Sequence, residues 1–88
     1  MKITKVRYTD RASEDLKYWA MNEPVIFSRV QSLVAAAMKD PNAGIGKPEK
    51  LKHDLAGYWS RRITGQHRLV YVVNRNELII IQARFHYQ

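Results

Sequence analysis

Between Gly46 and Tyr71 the chain reads GKPEKLKHDLAGYWSRRITGQHRLVY, and most of its chemically capable side chains are gathered there. An isolated acid, Glu49, is followed by Lys50, Lys52, His53, Arg61, Arg62, His67 and Arg68, with Tyr58 and Trp59 in their midst. Cations attract phosphates, flat rings stack on unpaired bases, and a carboxylate among cations can accept a proton. The combination suits a polyanion with exposed bases, single-stranded RNA above all. A second aromatic and titratable group, Arg84-Phe85-His86-Tyr87, closes the chain before Gln88.

The register of the strands that carry these groups decides which of them meet. If Thr64-Gly65-Gln66 is a three-residue hairpin loop with Gly65 in a left-handed conformation, Ile63 faces His67 and Arg62 faces Arg68. A two-residue loop pairs Arg61 with Arg68 instead. In both registers two guanidiniums lie side by side, an arrangement that is destabilising unless an anion comes between them. His86 and Tyr87 carry a different constraint. Successive strand residues point to opposite faces, so both reach one site only if the chain leaves strand geometry there.

The rest of the chain must supply the frame. Its 88 residues allow one domain, residues 1–88, with one modest core, and 45% apolar residues with 26% charged is a globular composition. The net charge of +7 is regional, since residues 44–88 hold eight Lys and Arg against Glu49, Asp54 and Glu77. Such a field favours nucleic acid or an acidic protein partner. The absence of cysteine excludes disulfides and thiolate metal sites, and His53 and His67 lack partners at ligand spacing, so no metal and no cofactor is expected. There is no P-loop, dinucleotide fingerprint or activated Ser or Cys nucleophile. Nothing approaches a membrane span or a secretory signal, and the expected location is the cytoplasm.

Lys2 to Tyr8 alternates imperfectly and predicts a strand. Thr9 or Asp10 can cap a helix with Ala12, Leu16 and Trp19 inward, and Asn22-Glu23-Pro24 starts a second with Ile26, Val30, Leu33, Ala37 and Met38 as its apolar stripe. Trp19 and Met38 are assigned to the core. PNAGIGKP is an irregular loop. A short extended piece around Leu51, a turn at Asp54–Gly57 and strands at Tyr58–Ile63, His67–Val73 and Leu78–Phe85 follow, the last apolar enough for burial on both faces. The fold class is α+β: two N-terminal helices on a twisted, mainly antiparallel sheet, in the order β-α-α-β-β-β.

GKPEKLKHDLAGYWSRRI, HRLVY and the terminal RFHY together resemble the YoeB branch of the RelE-like toxins, over about residues 44–87 with Tyr18-Trp19 also fitting. The resemblance implies a small microbial-ribonuclease fold and an endoribonuclease of a toxin–antitoxin pair that cuts messenger RNA in the A site of the 70S ribosome. It implies Glu49 as the base on the 2′-hydroxyl, His86 as the acid on the 5′ oxygen, and Arg68 on the phosphate. Arg62 and Lys52 would assist in phosphate binding, and Tyr87 would stack on or orient a base. Lys47 and Arg61 complete the cationic set. A YefM-like acidic antitoxin and a homodimer are the implied protein partners. A basic module that binds nucleic acid without chemistry meets the same charge requirement, but has no need of Glu49 or His86.

Overall fold

The structure, a computed structural model, describes residues 2–85. Strand β1 (Lys5–Tyr8) leads into helix α1 (Asp10–Asn22), which Thr9 caps by accepting the Ala12 N–H at 3.1 Å. The same hydroxyl donates to the Ile81 carbonyl at 2.8 Å and so ties the cap to the sheet. Helix α2 (Pro24–Lys39) starts at its proline, whose missing N–H costs nothing in a first turn. Strands β2 (Glu49–Lys50), β3 (Trp59–Arg62), β4 (Arg68–Asn74) and β5 (Glu77–Gln82) follow, with a 3₁₀ turn at His53–Leu55 where the sequence predicts only a turn.

The five strands form one sheet in the order β1-β5-β4-β3-β2. β2–β3, β3–β4 and β4–β5 are antiparallel, and β1 lies parallel to β5. The α+β class and the predominantly antiparallel sheet are as expected. Both helices cover one face. Ala12, Val30, Leu33, Ala37, Leu69, Tyr71, Leu78 and Ile80 are fully buried between the layers, with Trp19 beside them and Leu16, Ile26 and Met38 packed around them. Among the described residues no helix is long and apolar enough to cross a membrane.

Pleating turns alternate residues to the other face, which no helix covers. There the register aligns Glu49 with Ser60 and Ser60 with Val70, and pairs Arg62 with Arg68. The three-residue loop is thus the one formed. Gly65 is not in a left-handed conformation, however. The loop closes through the Thr64 hydroxyl, which accepts the N–H groups of Gln66 and His67, each at 3.2 Å.

The last strand differs from expectation at its end. β5 has Leu78 and Ile80 fully buried against the helices and Ile79 only 8% exposed on the other face, in keeping with burial on both sides. Its pairing shifts between Val70 and Tyr71, with Tyr71 opposite Ile80 but Val70 opposite Gln82. The strand stops at Gln82 instead of Phe85 because a register shift of this kind bends the strand and ends the ladder, and helix α1 then captures the freed backbone.

The loop from Asp40 to Pro48 brings Glu49 to the sheet edge, and one glycine makes its approach possible. Gly46 has φ +85°, and a Cβ there would lie 2.6 Å from Leu33 Cδ2 and 3.1 Å from Arg61 Cβ. Gly57 has a similar φ of +96° with nothing within 4 Å, so it separates backbone strain from steric overlap. In urea titrations Gly57→Ala is expected to cost ~1 kcal/mol for the left-handed backbone alone. Gly46→Ala is expected to cost about 3 kcal/mol, because overpacking a buried leucine is added to that strain. Equal losses would show that no close approach exists at Gly46.

Candidate active site

Lys47, Pro48, Glu49, Ser60, Arg62 and Arg68 line a pocket of about 260 Å³ on the open face of the sheet. The hairpin supplies the facing arginines, and β2 supplies the acid in the row of Ser60. Pairing across the sheet therefore assembles a carboxylate, a hydroxyl and three cations from three separate stretches of chain. The ion pairs among the described residues, Arg7–Glu77, Arg11–Asp15 and Lys17–Glu14, all lie elsewhere. Arg68 has one guanidinium nitrogen donating to the Thr64 carbonyl at 3.0 Å and to that of His67 at 3.3 Å, which directs its side chain along the loop. Two guanidiniums in register, with no carboxylate among the described residues salt-bridged to either, form a site suited to an anion.

Lys52 is not in this pocket. It lies with Lys50 and His53 in an adjoining hollow of about 360 Å³ that shares Glu49 as its common wall. The sequence-predicted cations therefore flank Glu49 on two sides, Lys47, Arg62 and Arg68 on one and Lys52 on the other. Ser60, which sequence reasoning missed, has the same strand parity as Arg62 and could have been found by that rule. No group of three or more His, Asp or Glu side chains that could hold a metal occurs among the described residues.

Arg61 is the correction. Its expected role in binding phosphate is incompatible with its position, for it is 0% exposed and points under the helices. Strand parity explains why: Arg61 alternates with Ser60 and Arg62 and pairs with Leu69, on the face that also carries Trp59 and Ile63. Its guanidinium donates to the carbonyls of Asp40 at 2.6 Å, Ala43 at 2.8 Å and Ile45 at 2.9 Å, and to the Tyr71 hydroxyl at 3.0 Å. Tyr71 in turn donates to the Pro41 carbonyl at 2.6 Å. Burial pushes the Tyr71 hydroxyl above its ordinary value, with Arg61 partly offsetting this, so the donor proton is retained. The loop that delivers Glu49 is thereby pinned from beneath, and the Arg62 N–H fixes it again at the Gly46 carbonyl, 2.7 Å away.

The predicted acid and stacking residues, His86 and Tyr87, lie outside the described residues. What leads to them is well determined by contacts. Ala83 donates its N–H to Asp15 Oδ2 at 3.0 Å and accepts from Trp19 Nε1 at 2.7 Å. Gln82 Nε2 donates to the Arg84 carbonyl at 3.0 Å. Phe85 donates to His67 Nδ1 at 2.7 Å and accepts the Arg68 N–H at 3.0 Å. Phe85 has φ +67°, a conformation that costs a side-chain-bearing residue about 1–3 kcal/mol and persists only where neighbours over-determine it. The chain therefore leaves strand geometry before His86, at the backbone of Arg68. Arg84 lies over the Tyr18 ring at 3.4 Å and the Phe85 ring at 4.4 Å.

Two helices on one face of a five-stranded mixed sheet, with a cationic pocket on the other, define a RelE-like α+β toxin. The sequence matches the YoeB-like toxins of bacterial type II toxin–antitoxin systems over residues 8–87, and the chain belongs to that family. It is 46% identical over 83 residues to Toxin YoeB of Streptomyces coelicolor, covering 94% of this chain and 99% of that one. The YoeB/ParE toxin from Agrobacterium tumefaciens superposes with a TM-score of 0.93 at 43% identity, covering 96% of this chain and all of that one. The YoeB dimer from Staphylococcus aureus gives 0.88 at 38% identity over 99% of this chain and 100% of that one. YoeB from the same organism is also known in a heterotetrameric complex with YefM. The chain is thus a toxin of a type II toxin–antitoxin system.

Arg61 supplies a test of the buried network. Arg61→Met leaves three carbonyls and a hydroxyl without their donor and is expected to lower the unfolding free energy by ~3 kcal/mol or more. Arg61→Lys should recover only part of this, because an ammonium cannot reach acceptors spread around a planar fork. Urea denaturation measures both. A stability within 1 kcal/mol of wild type for Arg61→Met, on the order of an ordinary surface substitution, would return Arg61 to the binding set.

Proposed function

We propose that this toxin is a ribosome-dependent endoribonuclease that cuts messenger RNA in the A site without a metal. The observation that carries the reading is the pairing of Arg62 with Arg68 beside Glu49, in a pocket whose cations have no carboxylate partner among the described residues. An RNA phosphate in that pocket would satisfy both guanidiniums and lie within reach of the one carboxylate. Glu49 takes the proton of the 2′-hydroxyl, whose oxygen attacks the phosphorus. The bond from phosphorus to the 5′ oxygen breaks, and His86 gives that oxygen its proton. Arg68 and Arg62 stabilise the charge on the non-bridging oxygens. The products are a 2′,3′-cyclic phosphate and a 5′-hydroxyl. Lys47 and Lys52, on either side of Glu49, hold neighbouring phosphates, and Tyr87 orients a base. Arg68's backbone N–H on the Phe85 carbonyl supports His86 as the acid, since it holds the residue that precedes His86 beside that arginine.

The reading as a module that only binds nucleic acid fails to account for Glu49. A carboxylate between cations weakens their hold on an anion, so its presence is useful only if it moves a proton. The partners follow from the same electrostatics and from the relatives. A YefM-like acidic segment folding across the open face covers Glu49 and its cations, and two copies of the chain form a dimer as the staphylococcal YoeB does.

Glu49→Gln is expected to leave ribosome affinity nearly unchanged while lowering single-turnover cleavage by about 10²–10⁴-fold, the scale of a lost general base. Primer extension on translating ribosomes reads the new messenger ends. Parallel loss of affinity and rate would make Glu49 structural, and undiminished cleavage would remove it from the mechanism. For His86, the comparison is between normal RNA and RNA with a 5′-thio leaving group that needs little protonation. His86→Gln should be slow on the first and largely rescued on the second, whereas equal defects would exclude the acid role.

A further inference from the structure

His67 stands outside the pocket, yet its ring is held as carefully as any in the molecule. It lies edge-on to Trp19 with centroids 4.8 Å apart, and Trp19 is itself buried and tethers the Ala83 carbonyl. One ring nitrogen, Nδ1, accepts the Phe85 N–H at 2.7 Å, which assigns the ring proton to Nε2. A cationic imidazole carries protons on both nitrogens and would present N–H to N–H at this contact.

We infer that His67 is a positioning residue, a proton-sensitive latch that in its neutral form fixes Phe85 beside Arg68 and thereby sets the point from which the chain runs on to His86. Five backbone groups from Ala83 to Phe85 are tethered, by Asp15, Trp19, Gln82, His67 and Arg68. Of these tethers only His67 changes its hydrogen-bonding character near neutral pH. It also bonds the residue with φ +67°, whose conformation depends on its neighbours.

The charged groups facing the ring favour this state. Burial and the nearby Arg84 guanidinium both press the His67 pKa below its ordinary value, while Asp15 on α1 opposes them. Asp15 is itself engaged by Arg11 at 3.8 Å and by the Ala83 N–H. Glu23, at the junction of the helices, shares the hollow with Tyr18, Thr64, Gln66 and Arg84. The neutral form is therefore favoured in the fold. The latch is closed at neutral pH and opens as pH falls through a value below the usual ~6.5.

As far as catalysis is concerned the inference rests on the proposed ribonuclease reading, and there it makes the two histidines opposed. His86 must hold a proton to act, and His67 must lack one for His86 to be in position. Acidification would thus supply the acid and misplace it.

The test uses the intact protein labelled with ¹⁵N. In wild type, the Phe85 amide is expected to exchange slowly while the His67 ring is neutral, and at least about tenfold faster, relative to the intrinsic rate, once the ring nitrogens titrate. His67→Asn offers an oxygen where Nδ1 lies and does not titrate, so Phe85 should stay protected across the range. His67→Leu should lose that protection at every pH. In single-turnover cleavage His67→Leu should lower the maximal rate by up to about 10²-fold with its half-saturation unchanged, and His67→Asn should restore most of it. Phe85 protection that does not follow the His67 titration overturns the inference, as does His67→Asn behaving like His67→Leu. If wild type does not cleave at all, the ribonuclease reading falls, while the exchange measurements still decide the latch.

Discussion

A guanidinium buried without a carboxylate is the constraint on which the site depends. Desolvating Arg61 is tolerable because three carbonyl dipoles and a phenol surround it, and those carbonyls belong to one loop, at Asp40, Ala43 and Ile45. The loop has no regular secondary structure to hold it, and its own hydrogen bonds, from the Asn42 and Ala43 N–H groups to Asp40, lie only at its start. Its shape is set instead by the geometry of a planar fork that projects from β3. The same strand presents Arg62 to the other face one residue later. Core and pocket are therefore two sides of one dipeptide, and the position of Glu49 is fixed relative to Arg62 through the interior of the protein.

Two of the four side-chain-bearing residues with left-handed backbone among the described residues lie near the site, the others being His53 and Arg75. Lys47 (φ 50°) and Phe85 (φ 67°) are side-chain-bearing residues in left-handed conformations, one just before Glu49 and the other just before His86. Each is over-determined by contacts that begin in a distant part of the sequence: Arg61 and Arg62 for the first, Asp15, Trp19 and His67 for the second. The strain is affordable only in the completed tertiary structure, which couples the integrity of the site to that of the fold.

Much of this was legible in the sequence where local chemistry governs. Pro24 as helix start and the inward stripe of α2 are consequences of short-range patterns, which also narrow the first cap to Thr9 or Asp10 and the hairpin to two registers; the fold selects Thr9 and the pairing of Arg62 with Arg68. Arg61 departs from the phosphate-binding role its charge suggests because strand parity governs its direction: Trp59, Arg61 and Ile63 alternate together, and a cation in that series is bound for the core. Gly65 needs no left-handed conformation, because the Thr64 hydroxyl closes the loop. The end of β5 was invisible because it is determined by Asp15 and Trp19, some 65 residues earlier, for which no local signal exists. The parallel neighbour of β1 was hidden for a similar reason, since no turn joins the two strands.

That neighbour bears on how the molecule comes into being. β5 is the last strand in chain order, yet it lies between β1, the first, and β4. During synthesis the N-terminal portion appears first, so β1 and the inward stripes of both helices must wait with their hydrogen-bonding edge and apolar surface uncovered until β5 has been made. Closure of the sheet is then a late, long-range event, of the kind that slows folding. Assembly of the toxin is thereby delayed until β5 has been made, and a product truncated before that strand lacks the middle of its own sheet.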